Sequence, residues 1–208
     1  MRVAIFASSD SITDEMLPRL EELVESRHAL VKTHIFPNRP MAWNMLKSFG
    51  GDAVAFGLKM KGGLKPTAQN PNFMVDWVDE NEVDVIINLT GYIYYGDILT
   101  APTYGVIGKH ASVLPKYRGM LPVFWAMLHE EPMGVTVFKL NEKIDKGEIL
   151  TQRTLWPEET LYESYKKVYQ ATPELILEAL EVLPHIEKYW GMPTKDDYSQ
   201  FKKMGYSL

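Results

Sequence analysis

The sequence predicts an α/β domain built on a mostly parallel, twisted sheet flanked by helices, with a C-terminal helical tail. Three observations carry that expectation. The runs Arg2–Ser8 and Val83–Leu89 are apolar almost throughout rather than alternating, as strands buried on both faces are. Segments with apolar residues at helical spacing separate such runs. Strands alternating with helices of this size imply right-handed crossovers, and sheets of this kind hold ligands beyond the carboxyl ends of their strands.

Taken in order, Arg2–Ser8 is the first strand. Thr13 is expected to cap a helix with Asp14 and Glu15 in its first turn, and Leu17, Leu20 and Val24 recur at helical spacing through Ser26. Pro18 falls early enough to cost less than a mid-helix proline. Strands are expected near Ala29–Phe36 and Ala53–Phe56, separated by Pro37, Pro40 and Gly50-Gly51. Pro71 starts a helix that pairs Phe73 with Trp77 and Met74 with Val78. Val83–Leu89 follows as the best central strand. The segment Leu89-Thr90-Gly91-Tyr92 leaves it at the carboxyl end, and Gly105–Ile107 leads another strand out to Gly108-Lys109-His110, so both aim at one cleft. A helix over Met120–Glu130, a strand over Gly134–Leu140 and its antiparallel partner over Glu148–Thr154 come next. Thr160 and Glu163 form a capping box for a last helix with a restart or kink at Pro173. The domain is expected over residues 1–190, with a polar, extended tail over 191–208.

With 208 residues, 46% hydrophobic and 24% charged, one globular domain can bury a real core. The net charge of −5 shows no basic excess, so neither nucleic acid nor an anionic membrane is the expected partner. The absence of cysteine excludes disulfides and thiolate metal sites, and no metal is expected. Val3–Ala7 is too short for a signal-peptide core, and no stretch approaches the roughly 20 apolar residues of a membrane span. The expected location is the cytoplasm.

Of five histidines, four have ordinary structural explanations. His28 ends a helix, where its charge suits the dipole; His34 lies in a strand, His129 closes a helix and His185 sits in a polar stretch. His110 differs. It stands at a strand's carboxyl end before the tight stretch Ala111–Pro115, and is placed to take or give a proton beside a ligand. Asp145-Lys146-Gly147 lies between two apolar runs, and position alone reads it as a solvated hairpin tip.

The stretch Gly105–Leu150 resembles the folate-dependent formyltransferase family, which includes glycinamide ribonucleotide transformylase, methionyl-tRNA formyltransferase, sugar N-formyltransferases and the hydrolase domain of 10-formyltetrahydrofolate dehydrogenase. The family's N-x-H-x-S-L-L-P-x-y-R-G loop appears as Gly108-Lys109-His110-Ala111-Ser112-Val113-Leu114-Pro115-Lys116-Tyr117-Arg118-Gly119. Its P-x-x-W-A helix start is Pro122–Ala126, its G-V-T strand is Gly134-Val135-Thr136, and its D-x-G-x-I-L turn is Asp145–Leu150. Leu89–Ile93 resembles the pterin-side loop more loosely. Agreement is good over residues 80 to 155 and weak in the N-terminal third.

The resemblance implies the Rossmann-like formyltransferase fold, 10-formyltetrahydrofolate as formyl donor and an amine as acceptor. It implies that His110 stabilises an oxyanion or moves a proton while Asp145 orients a water and tunes the histidine. Gly91, Tyr92, Ile93, Tyr94, Asn141, Ile144 and Asp145 would line the folate side. The family's asparagine two positions before the histidine is Gly108 here, and loss of such a donor costs about 10²–10³ in rate. Compensation is expected from the Gly108 N–H, Lys109, Thr90 or a water. Methionyl-tRNA formyltransferase has an additional C-terminal domain, whereas the segment following the core here shows no basic cluster. The Gly-rich turn of the glycinamide ribonucleotide enzymes is replaced by Ala7-Ser8-Ser9-Asp10. The remaining expectation is a small-molecule amine acceptor, a nucleotide-linked amino sugar, met by Ser8, Ser9, Lys109, Ser112, Arg118 and Trp125, with a homodimer allowed. Three rivals stand beside it: a glycinamide ribonucleotide-type transformylase, a hydrolase that uses the room left by Gly108 for water, and a folate-binding protein that has lost turnover.

Overall fold

The computed structural model describes residues 1–9, 12–36 and 70–186. Their strands are β1 (Arg2–Ser8), β2 (Ala29–Phe36), β3 (Val85–Leu89), β4 (Val106–His110), β5 (Met133–Lys139) and β6 (Glu148–Leu155). The helices are α1 (Thr13–Arg27), α2 (Val75–Glu80, entered through a 3-10 turn at Pro71–Met74), α3 (Pro122–Leu128) and α4 (Leu161–Val182). The sheet order is β2-β1-β3-β4-β5-β6. The first four strands are parallel, and β5 and β6 add antiparallel to β4 and to each other. The expected α/β class and the closing antiparallel pair are both present. The strand expected near residues 53–56 and the tail expected over 191–208 lie outside the described residues.

Period-two alternation divides the core into two layers. Val3, Ile5 and Ala7 of β1, with Val85, Ile87 and Leu89 of β3, pack against Met16, Leu20 and Val24 of α1 and against α3 and α4. Ala4, Phe6, Ile86 and Val106 face the opposite side, where Val78 of α2, Tyr94 and Ile98 cover them. On β4 this parity sends Gly108 and His110 to the second face and Lys109 to the first, where its Nζ sits 3.2 Å from the ring centroid of Tyr169 on α4.

The structure revises several local expectations. Thr13 is the first helical residue rather than the cap, a position held by Ile12 without a side-chain bond. Gly108-Lys109-His110 are the last rungs of β4, with His110 at the expected strand end, and β5 pairs Phe138 with Gly108 and Thr136 with His110. Helix α3 is shorter than expected. It starts at Pro122, after Leu121 at φ +57°. Thr160 does cap α4, accepting the Glu163 N–H at 3.1 Å, but its hydroxyl donates to the Glu163 carboxylate at 2.8 Å, which differs from a reciprocal box. Helix α4 runs through Pro173 without restarting. The proline costs about 3 kcal/mol, and burial of Leu175, Ile176, Ala179 and Leu180 beyond it outweighs that at about 1.5–3 kcal/mol for each large side chain. His28 stands at the end of α1, but burial, with the chain's amino terminus and Arg27 nearby, lowers its pKa and so works against a charge that would suit the helix dipole.

Candidate active site

Beyond the carboxyl ends of β3 and β4 lies a cleft of ≈ 400 Å³. One wall is the exit of β3: Asn88, Thr90, Gly91, Tyr92, Ile93 and Tyr94. The floor is Gly108, Lys109 and His110, and the facing wall comprises Phe138, Leu140 and residues 141–145 of the β5–β6 turn, with Gly119 and Met120 at the rim.

His110 is 8% exposed, and its two ring nitrogens do different things. Nε2 lies 2.8 Å from the Tyr117 carbonyl oxygen. A carbonyl only accepts, so Nε2 carries a proton. Nδ1 lies 3.6 Å from Asp145 Oδ1, a charge contact too long for a hydrogen bond. Burial lowers the imidazole's pKa below its ordinary 6.5; Asp145 and the Tyr117 carbonyl pull upward, Lys109 pushes down, and the net direction is down. The ring therefore rests neutral, with a Nδ1 lone pair toward the carboxylate.

Asp145 is fixed from the other loop. Its Oδ2 accepts the Gly119 N–H at 2.7 Å, and its carbonyl accepts Arg118 Nε–H at 2.8 Å. The backbone around the pair is left-handed at Tyr117 (φ +55°), Gly119 (+91°), Leu121 (+57°) and Asp145 (+50°). Such strain concentrates where surrounding structure over-determines a site.

The remaining motif residues hold these two loops. Thr136 is fully buried, donates to the Ser112 carbonyl at 2.7 Å and accepts from the Leu114 N–H at 3.0 Å and Gln152 Nε2 at 2.9 Å. A Cβ on Gly134 would meet the Arg153 carbonyl and Val113, and one on Gly147 would run into the Lys139 carbonyl, so both glycines permit close backbone approach. Asn141 spends its side chain inside its own turn, accepting from the Lys143 N–H at 2.9 Å and donating to the Lys146 carbonyl at 3.1 Å. On the opposite wall Asn88 Oδ1 accepts the Thr90 N–H and hydroxyl, each at 2.8 Å. Thr136, Gln152, Leu140 and Asn88 were not singled out by sequence reasoning. Thr136 carried a signal in the G-V-T motif; Asn88 carried only its polarity within an apolar strand.

The folate-side candidates Gly91, Tyr92, Ile93, Tyr94, Asn141, Ile144 and Asp145 all line the cleft, with Gly108 and His110. The acceptor-side candidates do not assemble there. Ser8 is buried on β1, Ser9 donates to Asp14 at 3.1 Å, and Ser112 is fully buried and donates to the Lys116 carbonyl at 2.6 Å. Arg118 braces Asp145, and Trp125 is exposed on α3 against Phe124 and His129. Lys109 borders the cleft while its ammonium rests over Tyr169. The space expected for a water at Gly108 is taken by Leu140, whose Cδ1 would lie 2.6 Å from a Cβ there. Among the described residues no helix is long and apolar enough to cross a membrane, and no group of three acidic or imidazole side chains converges.

Residues 1–180 match the family model described as Formyl transferase. A methionyl-tRNA formyltransferase of Caldanaerobacter subterraneus subsp. tengcongensis is 32% identical over 149 residues, 69% of this chain and 47% of that one. Another, from Borreliella burgdorferi, is 30% identical over 205 residues, 94% of this chain and 62% of that one. The chain spans about half the length of the curated relatives it matches. In fold it is similar to glycinamide ribonucleotide transformylase 1 from Symbiobacterium toebii, with TM-score 0.62 and 18% identity over 88% of this chain and 86% of that one. It is also similar to the formyltransferase PseJ from Anoxybacillus kamchatkensis, whose crystal structure holds UDP-4,6-dideoxy-4-formamido-L-AltNAc and tetrahydrofolate, with TM-score 0.51 and 20% identity over 88% of this chain and 77% of that one. With the family match running from the first strand into the last helix, the chain belongs to the formyl transferase family.

Proposed function

We propose that this chain transfers the formyl group of 10-formyltetrahydrofolate to a primary amine. The observation that carries the reading is the His110–Asp145 pair at the floor of a cleft beyond the parallel strands, in a chain of this family. The cleft suits a flat, polar-edged ring: Phe138, Leu140 and Ile144 supply apolar surface, and the turns at 91–94 and 141–145 supply backbone donors and acceptors. The amine nitrogen attacks the formyl carbon, a C–N bond forms, and the carbonyl electron pair moves onto oxygen. His110 Nδ1 takes the proton shed by that nitrogen, and the Asp145 carboxylate stabilises the imidazolium. Collapse breaks the bond to N10, which receives the proton from His110. The products are a formamide and tetrahydrofolate.

For the acceptor, a nucleotide-linked amino sugar is the reading we favour. Its support is partly negative: the net charge of −5 offers no polyanion footprint, and the Ser9 hydroxyl after β1 already faces a carboxylate, which makes that turn a poor seat for phosphate. The sugar nucleotide held by PseJ adds a fold-level precedent. Methionyl-tRNA is the second reading, favoured by the names of the relatives near 30% identity. Incubation of the chain with 10-formyltetrahydrofolate and, in turn, a UDP-linked 4-amino sugar, methionyl-tRNA, glycinamide ribonucleotide or no amine, with mass detection of the formamide, separates these. Formylation of the amino sugar, reduced about 10²–10⁴-fold in His110→Ala, is expected. Formylation of tRNA alone selects the second reading, and amine-independent formate release makes the chain a hydrolase.

A further inference from the structure

The formyl oxygen of the proposed reaction needs a donor as it gains charge, and the candidates on β4 and at Thr90 are spent. Gly108 has no side chain, and its backbone is paired on both sides, to Asn88 of β3 and Phe138 of β5. The Lys109 ammonium sits over Tyr169 on the far face of the sheet. The Thr90 hydroxyl donates to Asn88 Oδ1 at 2.8 Å. His110 Nε2–H is directed at the Tyr117 carbonyl, 2.8 Å away, and Nδ1 carries no proton in the neutral ring.

Asn88 is differently placed. It shares the face of the sheet that carries Gly108 and His110, stands opposite Gly108 in register, and lines the cleft. The Thr90 N–H can only donate, so the atom facing it at 2.8 Å is Oδ1, and Nδ2 is the atom turned the other way. That nitrogen lies 3.9 Å from a Cβ built on Gly108, where a longer side chain on β4 would carry its own amide. Among the described residues it donates to no protein acceptor, whereas Oδ1 is doubly occupied. Leu140 fills the position that a side chain on Gly108 would need.

We propose that Asn88 supplies, from β3, the side-chain N–H that stabilises the oxyanion of formyl transfer in place of the donor missing at Gly108. The inference rests on the formyl-transfer reading. Attack converts the formyl C=O into C–O⁻, the Nδ2–H donates to that oxygen, and the bond relaxes when the carbonyl re-forms and N10 departs with its proton. Asn88 neither gains nor loses a proton.

The test is Asn88→Asp, which keeps an acceptor for both Thr90 donors and removes the N–H, with Asn88→Ala as a second variant. Steady-state turnover of 10-formyltetrahydrofolate and calorimetric binding of tetrahydrofolate are measured for each. Both variants are expected to lose about 10²–10³ in kcat, with the tetrahydrofolate Kd within about threefold of the parent chain. A kcat within about threefold of the parent in either variant overturns the proposal, as does a loss confined to folate affinity. A parent chain that neither binds folate nor turns over ends the formyl-transfer reading and this one with it; that result is visible without any substitution.

Discussion

The base role proposed for His110 requires an uncharged ring, and its surroundings decide how far into acid that form persists. Burial works against the imidazolium, Asp145 and the Tyr117 carbonyl favour it, and burial wins, so the neutral form persists below the ordinary 6.5. The rate profile is expected to be flat from pH 8 to about 6.5 and to fall only at lower pH. An acid limb centred above 6.5, measured as kcat against pH, would mean that the carboxylate outweighs burial. At this scale the sequence was legible where a motif spaced the residues, as at His110 and Asp145. Asn88 was not legible, because one amide in an apolar strand looks like many others until the register sets it opposite Gly108. Nor were the true bonds of Ser112 and Arg118, whose polar groups meet backbone carbonyls of the two site loops rather than a ligand.

Among the elements, the β5–β6 connection decides where the carboxylate stands. Gly147 lets that turn fold back against the Lys139 carbonyl and Phe138, which leaves Asp145 within reach of Gly119 and His110. Gly147→Ala is expected to destabilise the chain by about 1–3 kcal/mol, or about 2–4 °C in Tm for each kcal/mol, and to lower turnover by displacing Asp145. Thermal denaturation with parallel kinetics checks this, and an unchanged Tm with full activity would show that the turn relaxes freely. Periodicity locates β1 to the residue because it is a continuous apolar run, and places β2 near its observed span. It also leads β4 out to His110, but does not show the β5 pairing that holds the strand there, 26 positions away at the Thr136 rung. It broke α4 at Pro173 because local propensity takes no account of the core beneath Leu175 and Leu180.

For the molecule as a whole, a sheet with buried side chains on both faces keeps His28, His34 and His110 harder to protonate than in an open chain, burial being the first cause for each. Just below pH 6.5 the unfolded chain then binds more protons than the folded one, so stability rises with pH through that window and is lost as pH falls beneath it. Tm is expected to drop between pH 7 and pH 5, modestly because His28 and His34 are only partly buried, and a scan by differential calorimetry in matched ionic strength reads it. A Tm that climbs on acidification would reverse the assignment of three neutral rings. The layered α/β plan itself was readable from alternating runs, since each run needs only its neighbours in sequence to declare its type. The odd-even count along β4 has a further consequence. Removing one residue between the Gly105 turn and Lys109 would trade the places of Lys109 and His110, leaving an ammonium on the cleft side of the sheet and an imidazole beneath α4. The placement of the proposed catalytic pair therefore depends on parity, and insertions or deletions that spare it must fall in multiples of two or keep to the loops.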